Sequence, residues 1–292
     1  MDQAEQLRNV VKLRNQNNKN CARVITVTSG KGGVGKSNVS VNLAVQLQKA
    51  GKKVIIFDAD FGLANVEVMF GAIPQYNLSD LIYNGKNIRE IITPGPLGIG
   101  FISGGSGIIG LNNLCKEQIL YLVKSINELN DMADFIIIDT GAGISDQVME
   151  FVLASPEILL ITTPEPSSLT DSYSLLKALY KKPNFVVNQN QVHVIANKVT
   201  SYEDGKAVYD KLSSVVVQFL HGNLNYLGMI PQDQALERAV RQQKTVSLYE
   251  PNSNAAKAFR VLAGNLLDGT HEQAQIKWGI SQMFTNFLTR RN

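Results

Sequence analysis

Short apolar runs alternate with longer segments of helical period along this chain. Residues 24–28, 54–57, 135–138, 158–162, 192–196 and 226–230 are rich in Val, Ile and Leu with few polar interruptions, the pattern of strands buried on both faces. Between them, residues 37–50, 117–129, 145–154, 169–180 and 204–220 carry apolar positions at helical spacing. Several strand runs end in Gly, Asp, Asn or Pro, as loops at the carboxyl edge of a parallel sheet do. The alternation predicts one doubly wound α/β domain, a mostly parallel sheet with helices on both faces. The glycine-rich stretch 93–111 reads as a strand flanked by flexible loops. Two segments fall outside the alternation: residues 1–20, which end in the polar linker NQNNKN, and residues 271–292, which follow Asp268-Gly269-Thr270. The expected organisation is therefore 1–20, 21–270 and 271–292.

One loop carries the chemistry. Gly30-Lys31-Gly32-Gly33-Val34-Gly35-Lys36-Ser37 lies between a predicted strand and a predicted helix, which satisfies G-x-x-x-x-G-K-[ST] in its required context. The glycines let backbone N–H groups converge on one anion, and the helix N-terminus adds its positive dipole end. Lys36 is placed to bridge β- and γ-phosphates, and Ser37 to offer a hydroxyl to Mg²⁺. Asn38 follows in the helix's first turn.

Composition excludes other classes. The chain has 292 residues, 44% hydrophobic, with a formal net charge of +3, enough for a sizeable core and unlike a disordered chain. Its two cysteines, Cys21 and Cys115, form no CxxC or metal-ligand spacing and point to a reducing compartment. No apolar run reaches the ~20 residues that span a bilayer, and the opening MDQAEQLRNVVKLR is too polar for a signal peptide. Positive charge gathers at the ends, with Arg8, Lys12, Arg14, Lys19 and Arg23 in the first segment and Lys277, Arg290 and Arg291 in the last. The near-neutral body gives no sign of a nucleic-acid partner.

The second loop lysine, Lys31, makes the sequence K-G-G-V-G-K-S, which resembles the deviant Walker A signature of the MinD/ParA class of ATPases. The resemblance spans residues 22 to about 268. It implies ATP/ADP and Mg²⁺ as ligands, with Lys31 reaching across a homodimer to the partner's phosphates, where a cation offsets charge developing in phosphoryl transfer. It makes Asp58-Ala59-Asp60 similar to switch I, with Asp60 orienting the attacking water and Asp58 supporting the metal shell. Asp139-Thr140-Gly141-Ala142-Gly143 is similar to switch II, with Asp139 holding a metal-bound water. By the same resemblance Asn197 binds adenine, and the stretch through Pro231, Gln232 and Asp233 lines it. Thr200 stands where a GTPase N-K-x-D would carry its aspartate, which favours ATP.

Within this class the opening Asp2-Gln3-Ala4-Glu5-Gln6-Leu7-Arg8 resembles the DQAxxLR motif of the flagellar-number regulators of FlhG, YlxH or FleN type. That branch implies stimulation of an FlhF-type GTPase, with Gln3 the acting residue and Asp2, Ala4, Leu7 and Arg8 the rest of the motif. It also implies regulation of flagellar number or placement, and contact with flagellar switch-complex proteins. Near the other end Ile276, Ile280, Met283, Phe284, Phe287 and Leu288 recur at three- and four-residue intervals and share one helical face. The face suits either a core-docked terminal helix or a reversible anchor on anionic membrane. The expectation is an ATPase that is cytoplasmic and, in its ATP state, peripheral at the inner face of the cell membrane. The alternative is a ParA-type DNA-partition ATPase.

Overall fold

The computed structural model describes residues 21–60, 65–105, 116–183, 185 and 190–273. The N-terminal positions Asp2, Gln3, Ala4, Leu7 and Arg8 lie outside the described residues, as do Ile276, Ile280, Met283, Phe284, Phe287 and Leu288.

The described chain runs through β1 (Arg23–Thr28), α1 (Lys36–Lys49), β2 (Val54–Ala59), α2 (Asn65–Phe70), α3 (Leu78–Tyr83), β3 (Thr93–Pro94) and β4 (Gly100–Ser103). It continues through α4 (Lys116–Glu128), β5 (Phe135–Thr140), α5 (Asp146–Ala154), β6 (Glu157–Thr162), α6 (Pro166–Tyr180) and β7 (Gln191–Val199). Then come α7 (Tyr202–Leu220), β8 (Asn225–Pro231), α8 (Gln234–Arg241), α9 (Val246–Tyr249) and α10 (Asn254–Asp268). Among the described residues the strands form one sheet in the order β3-β4-β2-β5-β1-β6-β7-β8. The β3–β4 pairing at one edge is antiparallel and the others are parallel.

The inner strands feed two cores, because successive side chains point to opposite faces. In β2, Val54 and Ile56 join the cluster that contains Leu43, Phe259 and Leu262, while Ile55 and Phe57 join Leu78, Ile88 and Ile102 on the other face. Burial on both faces explains why these strands read as continuous apolar runs.

The structure departs from the sequence pattern in two ways. Strand pairing continues past the last apolar residue, so Asp58, Asp139 and Asn197 sit inside β2, β5 and β7 rather than after them. Helices α2, α3, α8, α9 and α10 have no counterpart in the sequence pattern. Helices α2, α3 and α9 span fewer than two turns, α8 buries only Ala235 and Ala239, and α10 buries Ala255, Ala256, Ala258 and Ala263 around Phe259, Leu262 and Leu266, faces whose small residues carry little hydrophobic signal. The stretch 93–111 supplies β3 and β4, and its residues 106–111 lie outside the described ones.

The end of the sheet away from the loop is closed by polar joints. The Arg23 guanidinium donates to both Glu157 carboxylate oxygens, at 2.5 and 2.7 Å, and to the carbonyl of Leu266 near the end of α10. Asn265 is buried and fully satisfied. Its amide donates to the carbonyls of Leu227 (3.0 Å) and Glu272 (2.8 Å), and its Oδ1 accepts from the Glu272 N–H and the Thr270 hydroxyl. Replacing Asn265 by alanine is expected to lower unfolding free energy by about 2 kcal/mol, because it strands buried backbone groups; urea unfolding measures this.

Candidate active site

The phosphate loop is shaped by what packs on it. Gly30 lies against the backbone of α6, where a Cβ would come within 2.1 Å of the Asp171 carbonyl carbon. Gly35 adopts φ +99, and a Cβ there would meet the Asn197 amide at 2.4 Å, so only glycine fits. Gly33 is left-handed as well, while Gly32 lies 4.0 Å from Ala142 by the same construction. Two groups from β7 hold the loop from the other side. Asn197 donates its amide to the Val34 carbonyl at 2.7 Å, and Lys198 donates its ammonium to the Gly33 carbonyl at 2.9 Å. Helix α1 starts at Lys36 with Gly35 as its N-cap and no capping side chain, leaving first-turn N–H groups for an anion.

Beneath the loop the three ionisable groups Lys36, Asp58 and Asp139 are buried. Burial lowers the Lys36 pKa against the pull of Asp139 and Asp60. Burial, then the neighbouring Asp139 charge, pushes the Asp58 carboxyl up to about 8, although the Val66 and Asp60 N–H groups donate to it. Burial holds Asp139 up to about 6, opposed by the Ser37 and Ser40 hydroxyls and by Lys36. Ser40 donates to Asp139 Oδ1 at 2.9 Å. Ser37 stands close enough to stabilise the charge but completes no hydrogen bond to Oδ2, which is buried without a partner among the described residues.

That orphaned oxygen is the feature a hydrated divalent cation fits. Ser37 would offer its hydroxyl and Asp139 a lone pair to a bound water, with Asp58 behind, in an all-oxygen environment that suits Mg²⁺. Among the described residues no set of three or more His, Cys, Asp or Glu is arranged to hold an ion alone, so nucleotide phosphates would have to complete the shell.

The remaining predicted residues divide into three places. Asp60 receives the Asn65 amide at 3.4 Å, and its carboxylate lies beside Gly141. Lys31 points away from its own loop and binds Glu165 at 2.9 Å and Ser167 at 2.8 Å. Gly33, Gly35, Asn38, Asn197, Pro231, Gln232 and Asp233 line one cavity of about 420 Å³ beside the loop. Asp233 serves as the N-cap of α8, accepting from Ala235, and its other oxygen accepts from Ala255 of α10. The Gln232 N–H is taken by the Val199 carbonyl at 2.9 Å.

Sequence reasoning missed Ser40, Glu165, Ser167 and Lys198. Ser40 could have been found, since it lies one helical turn after Lys36. Nothing local marks Glu165 or Ser167, which reach Lys31 only because β6 lies beside β1.

A phosphate loop at the carboxyl edge of a parallel sheet, with buried acids on the next two strands to one side of it, β5 and β2, defines a P-loop nucleotide hydrolase. Comparison with known proteins narrows the class. A family model described as "ParA: NUBPL iron-transfer P-loop NTPase" matches residues 20–267. The chain belongs to the ParA/MinD family of P-loop NTPases and is an ATPase that binds ATP and ADP. It is 39% identical to the antiactivator FleN of Pseudomonas aeruginosa over 241 residues, covering 82% of this chain and 85% of that one. It is 35% identical to the flagellum site-determining protein YlxH of Helicobacter pylori over 271 residues, 91% of this chain and 90% of that one. Among solved structures it resembles the cell division ATPase MinD of Pyrococcus furiosus, with a TM-score of 0.67 and 28% identity over 85% of this chain and all of that one. The septum site-determining protein MinD of Pyrococcus horikoshii, solved with Mg-ADP, gives a TM-score of 0.66 and 26% identity over 86% of this chain and 99% of that one.

The buried acids give a pH-dependent signature without nucleotide or metal. Folded Asp139 keeps its proton to about pH 6, whereas an unfolded aspartate loses it near 3.8, so folding stability falls as pH rises through 6. Asp139→Asn removes this loss. Between pH 5 and pH 8 the stability difference is expected to shift by about 1.4 kcal/mol in favour of the variant, measured by denaturant unfolding in EDTA.

Proposed function

We propose that this ATPase is a dimerising switch that regulates flagellar number or placement. The carrying observation is similarity to FleN and YlxH over most of the chain. The arrangement of Lys31 agrees with it. A lysine held on Glu165 and Ser167 at the surface, outside its own loop, can exchange these contacts for the phosphates of a second copy. An exposed ion pair of this kind contributes little net stability, so the exchange is favourable once the stronger charge of a triphosphate is offered.

In this reading the α1 N-terminus, the loop N–H groups and Lys36 bind the phosphates, and Ser37, Asp58 and Asp139 hold Mg²⁺. The ion supplies Lewis-acid neutralisation of phosphate charge. Asp60, flanked by Asn65 and Gly141, orients the water for attack. Asn197, Pro231, Gln232 and Asp233 receive the adenine. Asn197 can contribute only its second amide hydrogen, because the first is bound to Val34.

The ends of the chain give the switch its outputs. Residues 2–8 stimulate an FlhF-type GTPase through Gln3. The stripe Ile276, Ile280, Met283, Phe284, Phe287 and Leu288 binds anionic membrane, weakly in one copy and more firmly when a dimer presents two. The protein is thus cytoplasmic as a monomer and peripheral at the inner membrane face in the ATP state. Among the described residues no helix is long and apolar enough to cross a membrane. Flagellar switch-complex proteins are further partners in this reading, and nucleic acid is not one.

Asp60→Ala is expected to bind ATP, to hydrolyse it about 10²-fold more slowly or worse, and to accumulate as a dimer in size-exclusion chromatography with ATP and Mg²⁺. A variant that stays monomeric at saturating ATP would count against the switch.

Gln3→Ala is expected to keep the ATPase activity and to lose stimulation of an FlhF-type GTPase. Retained stimulation would remove the N-terminal motif from the mechanism.

A further inference from the structure

The start of α1 sets three side chains against the end of β5. Lys36, Ser37 and Ser40 are separated by three and four residues, so they share a helix face. All three act on Asp139, Lys36 by its charge and the two serines by their hydroxyls. Their surroundings differ. Ser37 is half-buried at the loop, whereas Ser40 is completely buried, one turn further along the helix. The Ser40 hydroxyl has one proton and two acceptors in reach, Asp139 Oδ1 at 2.9 Å and the Lys36 carbonyl at 3.3 Å. A serine inside a helix ordinarily gives its proton to the carbonyl four residues back. Here the shorter bond to the carboxylate takes it, since an ionised acceptor is the stronger one. A carboxylate turns easily about its last side-chain bond, so a bond that holds Oδ1 also decides where Oδ2 lies. Oδ2 is the atom left without a partner among the described residues.

We propose that Ser40 is a positioning residue for magnesium: by holding Oδ1 of Asp139 it keeps Oδ2 presented to the hydrated cation. The inference rests on the reading of Asp139 as a support of Mg²⁺. In that reading a bound nucleotide draws the Lys36 ammonium to its phosphates, and the ion draws the Ser37 hydroxyl. Two of the three groups that face Asp139 are therefore spent when the site fills. Ser40 is sealed from both ligands by its burial, so its proton stays on Asp139 in the empty and the filled site alike. Without that bond the carboxylate can turn, beside an Asp58 that stands directly across in β2, and the ion loses an acceptor already aimed at it. Hydrogen bonds that orient a metal's supporting groups from behind are worth about 10–100-fold in metal affinity.

Calorimetric titration of the full chain with ADP, once in Mg²⁺ and once in EDTA, tests this. The ratio of the two affinities measures how strongly the bound ion and the nucleotide support each other, because such coupling is reciprocal. Ser40→Ala is expected to lower this ratio by about 10-fold through weaker binding in Mg²⁺, with ADP binding in EDTA unchanged. Ser40→Thr keeps a hydroxyl at the same helix position and is expected to restore the ratio. A serine that served only to pack α1 on β5 would weaken ADP equally in both buffers when replaced, and that result overturns the inference. So does a ratio unchanged in Ser40→Ala, or one as low in Ser40→Thr as in Ser40→Ala. Wild-type protein whose ADP affinity is the same in Mg²⁺ and in EDTA would instead overturn the reading of Asp139 as a support of the ion, so the two failures are distinguishable.

Discussion

The register of β2 against β5 sets Asp58 directly beside Asp139. Like charges in neighbouring strands repel, and here both carboxylates are buried. The protein tolerates the pair because Lys36 and the Ser37 and Ser40 hydroxyls offset part of the charge, and because Asp58 holds its proton to about pH 8. The rest of the site follows from this unsatisfied centre. It keeps an acceptor, Asp139 Oδ2, without a partner among the described residues, and it makes the arrival of cationic charge stabilising. The same sheet register then brings Asp60 and Gly141 together at the edge, one residue beyond each strand.

The loop over this centre is a backbone structure fixed by its neighbours. Gly30 presses on the α6 backbone, while Asn197 and Lys198 hold the Val34 and Gly33 carbonyls. Movement of the loop is thereby tied to α6, whose N-terminal residues Glu165 and Ser167 bind Lys31. The loop's two lysines therefore occupy opposite environments, Lys36 in the dry centre and Lys31 on the wet surface. That difference in desolvation suits the roles proposed for them, one as a fixed phosphate ligand and the other as a group that changes partners.

A second linkage runs through α10. Asp233, at the wall of the cavity, bonds to Ala255 near the start of that helix, while Leu266 and Asn265 near its end meet Arg23 and residues 270–272. The helix spans the domain from the cavity to the polar joint at the far end of the sheet. Its hydrogen bonds to both ends are made by side chains that are buried or half-buried, where such bonds are costly to leave unmade.

The sequence by itself determined the alternation of strands and helices, the parallel sheet and the phosphate loop, because these depend on local periods and on one contiguous motif. Long buried strands announce themselves by runs of Val, Ile and Leu, and the loop by glycines at fixed spacing before a lysine. Helices α8 and α10 escaped because alanines bury their inner faces, and α2, α3 and α9 because fewer than two turns show no repeat. Only the tertiary structure decided that Asp58 faces Asp139, that Asn197 spends an amide hydrogen on the loop, and that Lys31 rests on Glu165. These relations join residues up to 163 positions apart, and sheet order and strand register place them in contact. The pairing of distant strands is a property of how both faces of the sheet are covered, which no local stretch of the chain encodes.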